Sequence, residues 1–318
     1  MKKLLLSLII CSLFLCSSCS TPDAVTNIQG MYFDTVVTIS LYDRESAKLS
    51  PEIEALCQKY DDLLSKTNEE SDIFRLNHSG GTPVEVDAGT AELLTLAKSY
   101  AAMTDGCFNP ALGSVTSLWD FKDKKTVPSS ADLEVALENT NYQDLQIDGQ
   151  TITLNNPLMQ VDIGGIAKGY IADKIKDYLL SKGVENALIN LGGNVLAIGE
   201  KPGGSPFKIG IQNPQEETGE ALAVAEIDNE SVVTSGTYQR FFEQDGIRYH
   251  HLLDPATGYP ADNDLESVSI ICDSSTMADA LSTACFVMGY EKGAAFIESL
   301  EDVQGIFITK DLVVHKID

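Results

Sequence analysis

Basic residues are scarce. The 318-residue chain has 22 lysines and arginines against 47 acids, a formal charge of −25. A surface of that sign repels nucleic acid and excludes a nucleic-acid partner. It also gains nothing from anionic lipid, so contact with a membrane would need another device. No apolar run approaches the roughly 20 residues that cross a bilayer, and no internal repeat or long low-complexity tract points to a solenoid or a disordered segment. Cysteines number seven, but their spacing builds neither a disulfide framework nor a metal motif. Neither a Walker A loop nor a Rossmann fingerprint occurs.

What is present begins with a leader. Lys2 and Lys3 precede an apolar run, Leu4 to Leu15, that meets small residues at Ser17, Ser18 and Cys19. This is the build of an export signal. An ordinary secretory peptide would share it, but a cysteine directly after two serines resembles a bacterial lipobox. Residues 1–18 then form a lipoprotein signal peptide, residues 19–29 an acylated Cys19 with a polar tether, and residues 30–318 one globular domain. The expected location is the extracytoplasmic face of the cell membrane, held by lipid. Loss of Lys2 and Lys3 with the leader would make the mature part still more acidic. An acidic protein that holds an anionic cofactor needs a metal, a lysine or backbone amides at the site. Cys57, Cys107, Cys272 and Cys285 read as small buried apolar residues, with a single disulfide among them as the alternative outside the cytosol.

Thr35 to Tyr42 alternates as a first strand. Ser50-Pro51 opens a helix with Ile53, Leu56, Tyr60, Leu63 and Leu64 on one side, and a second helix starts near Thr90. Further helices are expected over Gly165 to Leu180 and Ser275 to Met288. Strands are expected around Thr151–Val161, Ala187–Ile198, Phe207–Gln212, Ala221–Ile227, Tyr238–Glu243, Ser267–Cys272, Gly305–Thr309 and Leu312–His315. Interleaved helices and strands place the chain in the α/β or mixed α+β class, with a mixed sheet and packed helices.

Four segments could carry chemistry. Val161-Asp162-Ile163-Gly164-Gly165-Ile166-Ala167-Lys168-Gly169-Tyr170 passes from strand to helix through two glycines, so backbone N–H groups can approach an anion, and Lys168 would favour one. Alone, such a segment is more often only a turn. In Thr276 to Ala284, Asp279 and Thr283 are four residues apart and share a helix face, which suits magnesium or else a helix cap. Tyr249 to Pro260 sets His251 near Asp254 around a tight turn, giving either a proton-transfer pair or a capped turn. Thr234 to Arg240 is a polar turn with hydroxyls and an arginine.

In this order along the chain, Asp162–Gly169, Asn190–Asn194, Thr234–Arg240, His251–Gly258 and Ala278–Ala284 together resemble the FAD:protein FMN transferase family, also called the ApbE family. The resemblance covers essentially the whole chain after the leader. It implies an ApbE-like fold with FAD in a cleft, and magnesium between Asp279, Thr283 and the carbonyl of Gly165, with Ser282 in its shell. It implies that Asp162, Lys168, Leu253, Met31, a residue near Asn68 in the Ser65–Ser71 loop and the Phe108-Asn109-Pro110 turn line the flavin cofactor. Two departures are visible: Met-Tyr-Phe-Asp-Thr stands where many relatives have Met-Gly-Thr, and Asn109 follows Phe108 where an aspartate is common. The reaction implied is transfer of FMN from FAD to a threonine of an acceptor flavoprotein with release of AMP, with His251, oriented by Asp254, as the proton acceptor. FAD hydrolysis and mere flavin binding are the competing activities.

Overall fold

The computed structural model describes residues 25–43, 45–119, 121, 125–215 and 219–318. The leader and Cys19 lie outside the described residues. The centre of the fold is an eight-stranded sheet whose spatial order follows chain order: Thr26–Tyr32, Thr35–Leu41, Ala187–Leu191, Asn194–Ile198, Ser231–Gly236, Leu265–Cys272, Gln304–Thr309 and Val314–Ile317. Helices and strands interleave as expected. The sheet departs from the mixed one expected, because each neighbouring pair in it is antiparallel. Neighbouring strands that are also neighbours in sequence join by hairpins or short excursions, which need no parallel crossover.

The first strand begins at Thr26, inside the stretch expected to be a tether. It pairs along its whole length with Thr35–Leu41 around a turn in which Phe33 and Asp34 both take positive φ. That turn twists the two strands in the sense a hairpin requires. Most of its strand positions are polar or half-exposed, so hydrophobic alternation hardly marks it.

Helix Ser50–Leu64 turns Ile53, Cys57, Tyr60 and Leu64 inward. Helix Ala88–Met103 starts at an Asp87 cap rather than at Thr90. Both pack into the main core with Ile39, Leu41, Ile171, Ile175 and Ile189. The strand expected over Tyr238–Glu243 is instead the short ribbon Phe241–Gln244 with Ile247–His250, since Thr237 to Arg240 forms a turn. The helix expected from Gly165 spans Ala167–Ser181. The last strand is Val314–Ile317. The Ala167–Ser181 and Ser275–Met288 helices pack against each other and against the central strands. Cys57, Cys272 and Cys285 are buried free thiols, each pushed up to about 12 by burial, in keeping with their reading as small core residues. Among the described residues no helix is long and apolar enough to cross a membrane.

Candidate functional site

The site is built where those two helices cross. At Gly169 an added Cβ would stand 2.1 Å from the Ser275 carbonyl oxygen and 2.8 Å from the Asp279 Cβ, so only glycine permits this approach. The closeness lets Gly169 N donate to Asp279 Oδ2 at 2.9 Å. Lys168 Nζ stands 3.8 Å from Asp279 Oδ1. Helix Ser275–Met288 is fixed at its start by Asp173, which accepts from Ser274 Oγ, Ser275 N, Thr276 N and Thr276 Oγ1 at 2.5 to 3.1 Å. Thus Asp279 has no part in capping the helix, and the cap reading of Asp279 and Thr276 gives way to Asp173 and Ser274.

One helical turn beyond Asp279, Thr283 lies against the turn that leads into helix Ala167–Ser181; the strand expected over Thr151–Val161 ends at Leu154, so a loop with an isolated bridge at Gln160 precedes this turn. A Cβ at Gly165 would be 3.2 Å from Thr283 Oγ1 and 3.5 Å from the Phe108 ring. Asp279, Thr283, Gly165, Lys168 and Phe108 therefore come together as expected. Ser282 does not join them as a ligand. Its side chain is fully buried, donates to the Asp279 carbonyl at 3.0 Å and meets Ser235 Oγ at 2.8 Å. Among the described residues no three His, Cys, Asp or Glu side chains converge as a metal cluster. The donors here are one carboxylate, one hydroxyl and backbone oxygen. Hard oxygens in small number fit magnesium, which keeps several waters and uses substrate phosphates as further ligands.

Asp162 is tied down on the other side of the turn. It accepts from Lys66 Nζ at 2.8 Å, Thr116 Oγ1 at 2.6 Å and Gly164 N at 2.9 Å, while its own N donates to the Pro110 carbonyl. Burial alone would raise its carboxyl, but the Lys66 cation and these hydrogen bonds win and hold it at about 2. Asp162 thus arrives as a fixed anion that organises the turn. Lys66 also ties the Ser65–Ser71 loop to Asp162, while Asn68 Oδ1 accepts from Glu70 N within that loop. Asn109 uses both ends of its amide internally, donating to the Thr140 carbonyl and accepting from Ala111 N, so it shapes its turn.

His251 Nδ1 lies 3.2 Å from the Arg240 carbonyl. A carbonyl can only accept, so Nδ1 carries the proton and Nε2 keeps a free lone pair. Burial, then the Arg240 guanidinium, push the imidazole down to about 3, and the Lys168 charge acts in the same direction. The ring is therefore neutral at pH 7. The Lys168 charge beside Asp279 is the smallest of those acting on the ring.

Asp254 does not orient it. Its Oδ1 accepts from Ala256 N, and its carbonyl accepts from Thr257 N and Gly258 N, so Asp254 closes the turn. Leu253 buries its side chain with Trp119, Val115 and Phe242, leaving only its backbone to face a ligand. Met31 is 68% exposed at the end of the first hairpin, paired across it with Val36. A hollow of about 300 Å³ lined by Asp43, Ser46, Lys48 and Lys182 contains none of these residues, so the grouping itself marks the site.

Residues 33–307 match the ApbE family. The chain belongs to that family. An FAD:protein FMN transferase of Klebsiella pneumoniae is 40% identical over 90% of each chain. One from Treponema pallidum is 39% identical over 82% of this chain and 76% of its own. Among solved structures, the ApbE protein of Thermotoga maritima superposes with a TM-score of 0.86 at 32% identity, over 93% of this chain and 97% of that one. The flavin transferase ApbE of Vibrio cholerae does so with 0.82 at 30% identity and the same coverage. The ApbE-like fold expected from the motifs is thus the one observed.

Proposed function

We propose that this chain is an FAD:protein FMN transferase that works with magnesium at Asp279, Thr283 and Gly165. The observation that carries this is the meeting of one buried carboxylate, one hydroxyl and Lys168 at a glycine-rich helix start, with the Lys168 charge acting on a neutral histidine. Lys168 supplies positive charge at this helix start, where the N–H groups of Gly164, Ile166, Ala167 and Gly169 already donate within the chain. Bound there, magnesium would offset the charge of the FAD pyrophosphate. The hydroxyl oxygen of an acceptor threonine bonds to the phosphorus on the riboflavin side. The bond from that phosphorus to the AMP half breaks, and the hydroxyl proton passes to His251 Nε2. Lys168 stabilises the growing charge on the phosphoryl oxygens.

The reading is tested by incubating the protein with FAD and magnesium, with and without an acceptor flavoprotein. AMP released together with flavin bound covalently to the acceptor supports it. AMP with free FMN only would assign a hydrolase instead, and neither product would leave a flavin-binding protein.

The proposed site of work is the outer face of the cell membrane, through a diacylglyceryl group on Cys19, because the acidic surface offers no electrostatic hold on lipid. Cys19→Ser should release the protein or leave its precursor uncleaved. A processed mutant as firmly bound to membrane as the parent would overturn the anchor.

A further inference from the structure

Three hydroxyls run from the Thr283 side chain back into the core. Thr283 Oγ1 is 3.3 Å from Ser235 Oγ, Ser235 Oγ is 2.8 Å from Ser282 Oγ, and Ser282 Oγ is 3.0 Å from the Asp279 carbonyl oxygen. Ser282 is fully buried and Ser235 nearly so. Each hydroxyl has one proton and two lone pairs, and buried ones must find partners. The direction of the chain follows from its end. A carbonyl cannot donate, so the Ser282 proton is committed to Asp279. Ser282 must then accept from Ser235, and Ser235, its own proton spent, must accept from Thr283. The Thr283 proton is thereby drawn inward to the core, and its remaining lone pairs are left facing the Gly165 turn.

We propose that Ser235 and Ser282 are positioning residues that make Thr283 a pure oxygen donor toward a cation. The proposal rests on the metal reading of Asp279 and Thr283. A threonine hydroxyl that pointed its proton at the cation would repel it; one whose proton is held elsewhere offers a lone pair. The same relay ends on the carbonyl of the residue that supplies the carboxylate, so both protein ligands are set by one buried network. Groups that orient metal ligands in this way typically change affinity 10–100-fold when removed. Strand Ser231–Gly236 brings in Ser235 from 48 residues away along the chain, so the segment Thr234–Arg240 serves the metal from behind.

The test is calorimetric titration of magnesium chloride into the purified full chain, with thermal midpoints recorded on the same samples. Ser235→Ala should weaken magnesium binding by roughly 10–100-fold, while Ser235→Thr, which keeps a hydroxyl on Cβ, should bind close to the parent. Ser282→Ala frees Ser235 to donate toward Thr283 and should also weaken binding, which keeps the test open if Ser235→Ala does not fold. Asp279→Ala, as the control, should abolish binding. Folded Ser235→Ala or Ser282→Ala protein with parental magnesium affinity, whatever its thermal midpoint, would overturn the relay while the metal site stands. Unchanged binding by Asp279→Ala would bring down the metal site and the relay with it.

Discussion

The two sides of the site are held by different means. On the Asp279 side, helices Ala167–Ser181 and Ser275–Met288 touch backbone to backbone at Gly169, Asp279, Ser282 and Ser235 are locked by buried hydrogen bonds, and a half-buried Asp173 holds the start of the second helix. On the histidine side, His251 hangs from a single backbone carbonyl at the foot of the two-stranded ribbon Phe241–Gln244 and Ile247–His250. The difference fits the division of labour. Groups that bind pyrophosphate and cation gain from being fixed before reaction. A group that takes a proton from an incoming protein must stand where that protein can reach it.

The comparison breaks most severely at Gly169. Gly169→Ala would drive a methyl into the Ser275 carbonyl and separate Gly169 N from Asp279. The expected cost is about 3 kcal/mol, the upper end of ordinary overpacking because the obstacle is backbone. Denaturant unfolding measures it, and a parental midpoint would mean that the helices can part at no cost.

A second effect is acid sensitivity on the histidine side. Burial lowers His250 to about 4 and His251 to about 3, from an ordinary 6.5. Both are neutral in the folded state while the unfolded chain binds protons below pH 6.5, so stability falls as pH drops from 6.5 toward 4. Each group adds a slope of up to about 1.4 kcal/mol per pH unit. Asp162, held near 2, keeps its stabilising charge through this window and loses it only below. Thermal midpoints of the parent and of His251→Asn between pH 7 and 4.5 should diverge, the parent falling more steeply. Parallel curves would contradict the histidine account.

The smallest effect is expected at Asp254. Asp254→Asn keeps an oxygen for Ala256 N, so the turn should hold and transfer should stay within about threefold of the parent, well short of the hundredfold or more that a lost acid–base group costs. A hundredfold loss in folded protein would restore Asp254 as a partner of His251.

These residues also mark what sequence could reveal. Asp279 and Thr283 share a helix face by spacing alone, and the Ser275–Met288 helix has the bounds expected. The Gly164-Gly165 turn and Lys168 were equally visible, because a glycine pair before a helix start is a local signal, although the strand expected to lead into it ends at Leu154. Lys66 and Thr116 were not, since they reach Asp162 across 96 and 46 residues and carry no periodic signal. Asp173 capped a helix about a hundred residues away. The His251–Asp254 pairing failed for a local reason: an aspartate opening a turn has its own backbone N–H groups as nearer partners. The first strand was hidden because its polar residues resemble a tether until the hairpin pairs them.

The most direct test of the whole account is single-turnover flavinylation of an acceptor by His251→Asn, with FAD affinity and thermal midpoint measured on the same preparation. If the cofactor is held by the Asp279, Lys168 and Gly165 group, as proposed, FAD affinity should be nearly parental, while the transfer rate should drop by roughly 10²–10⁴-fold. A folded mutant that transfers at close to the parental rate would contradict it.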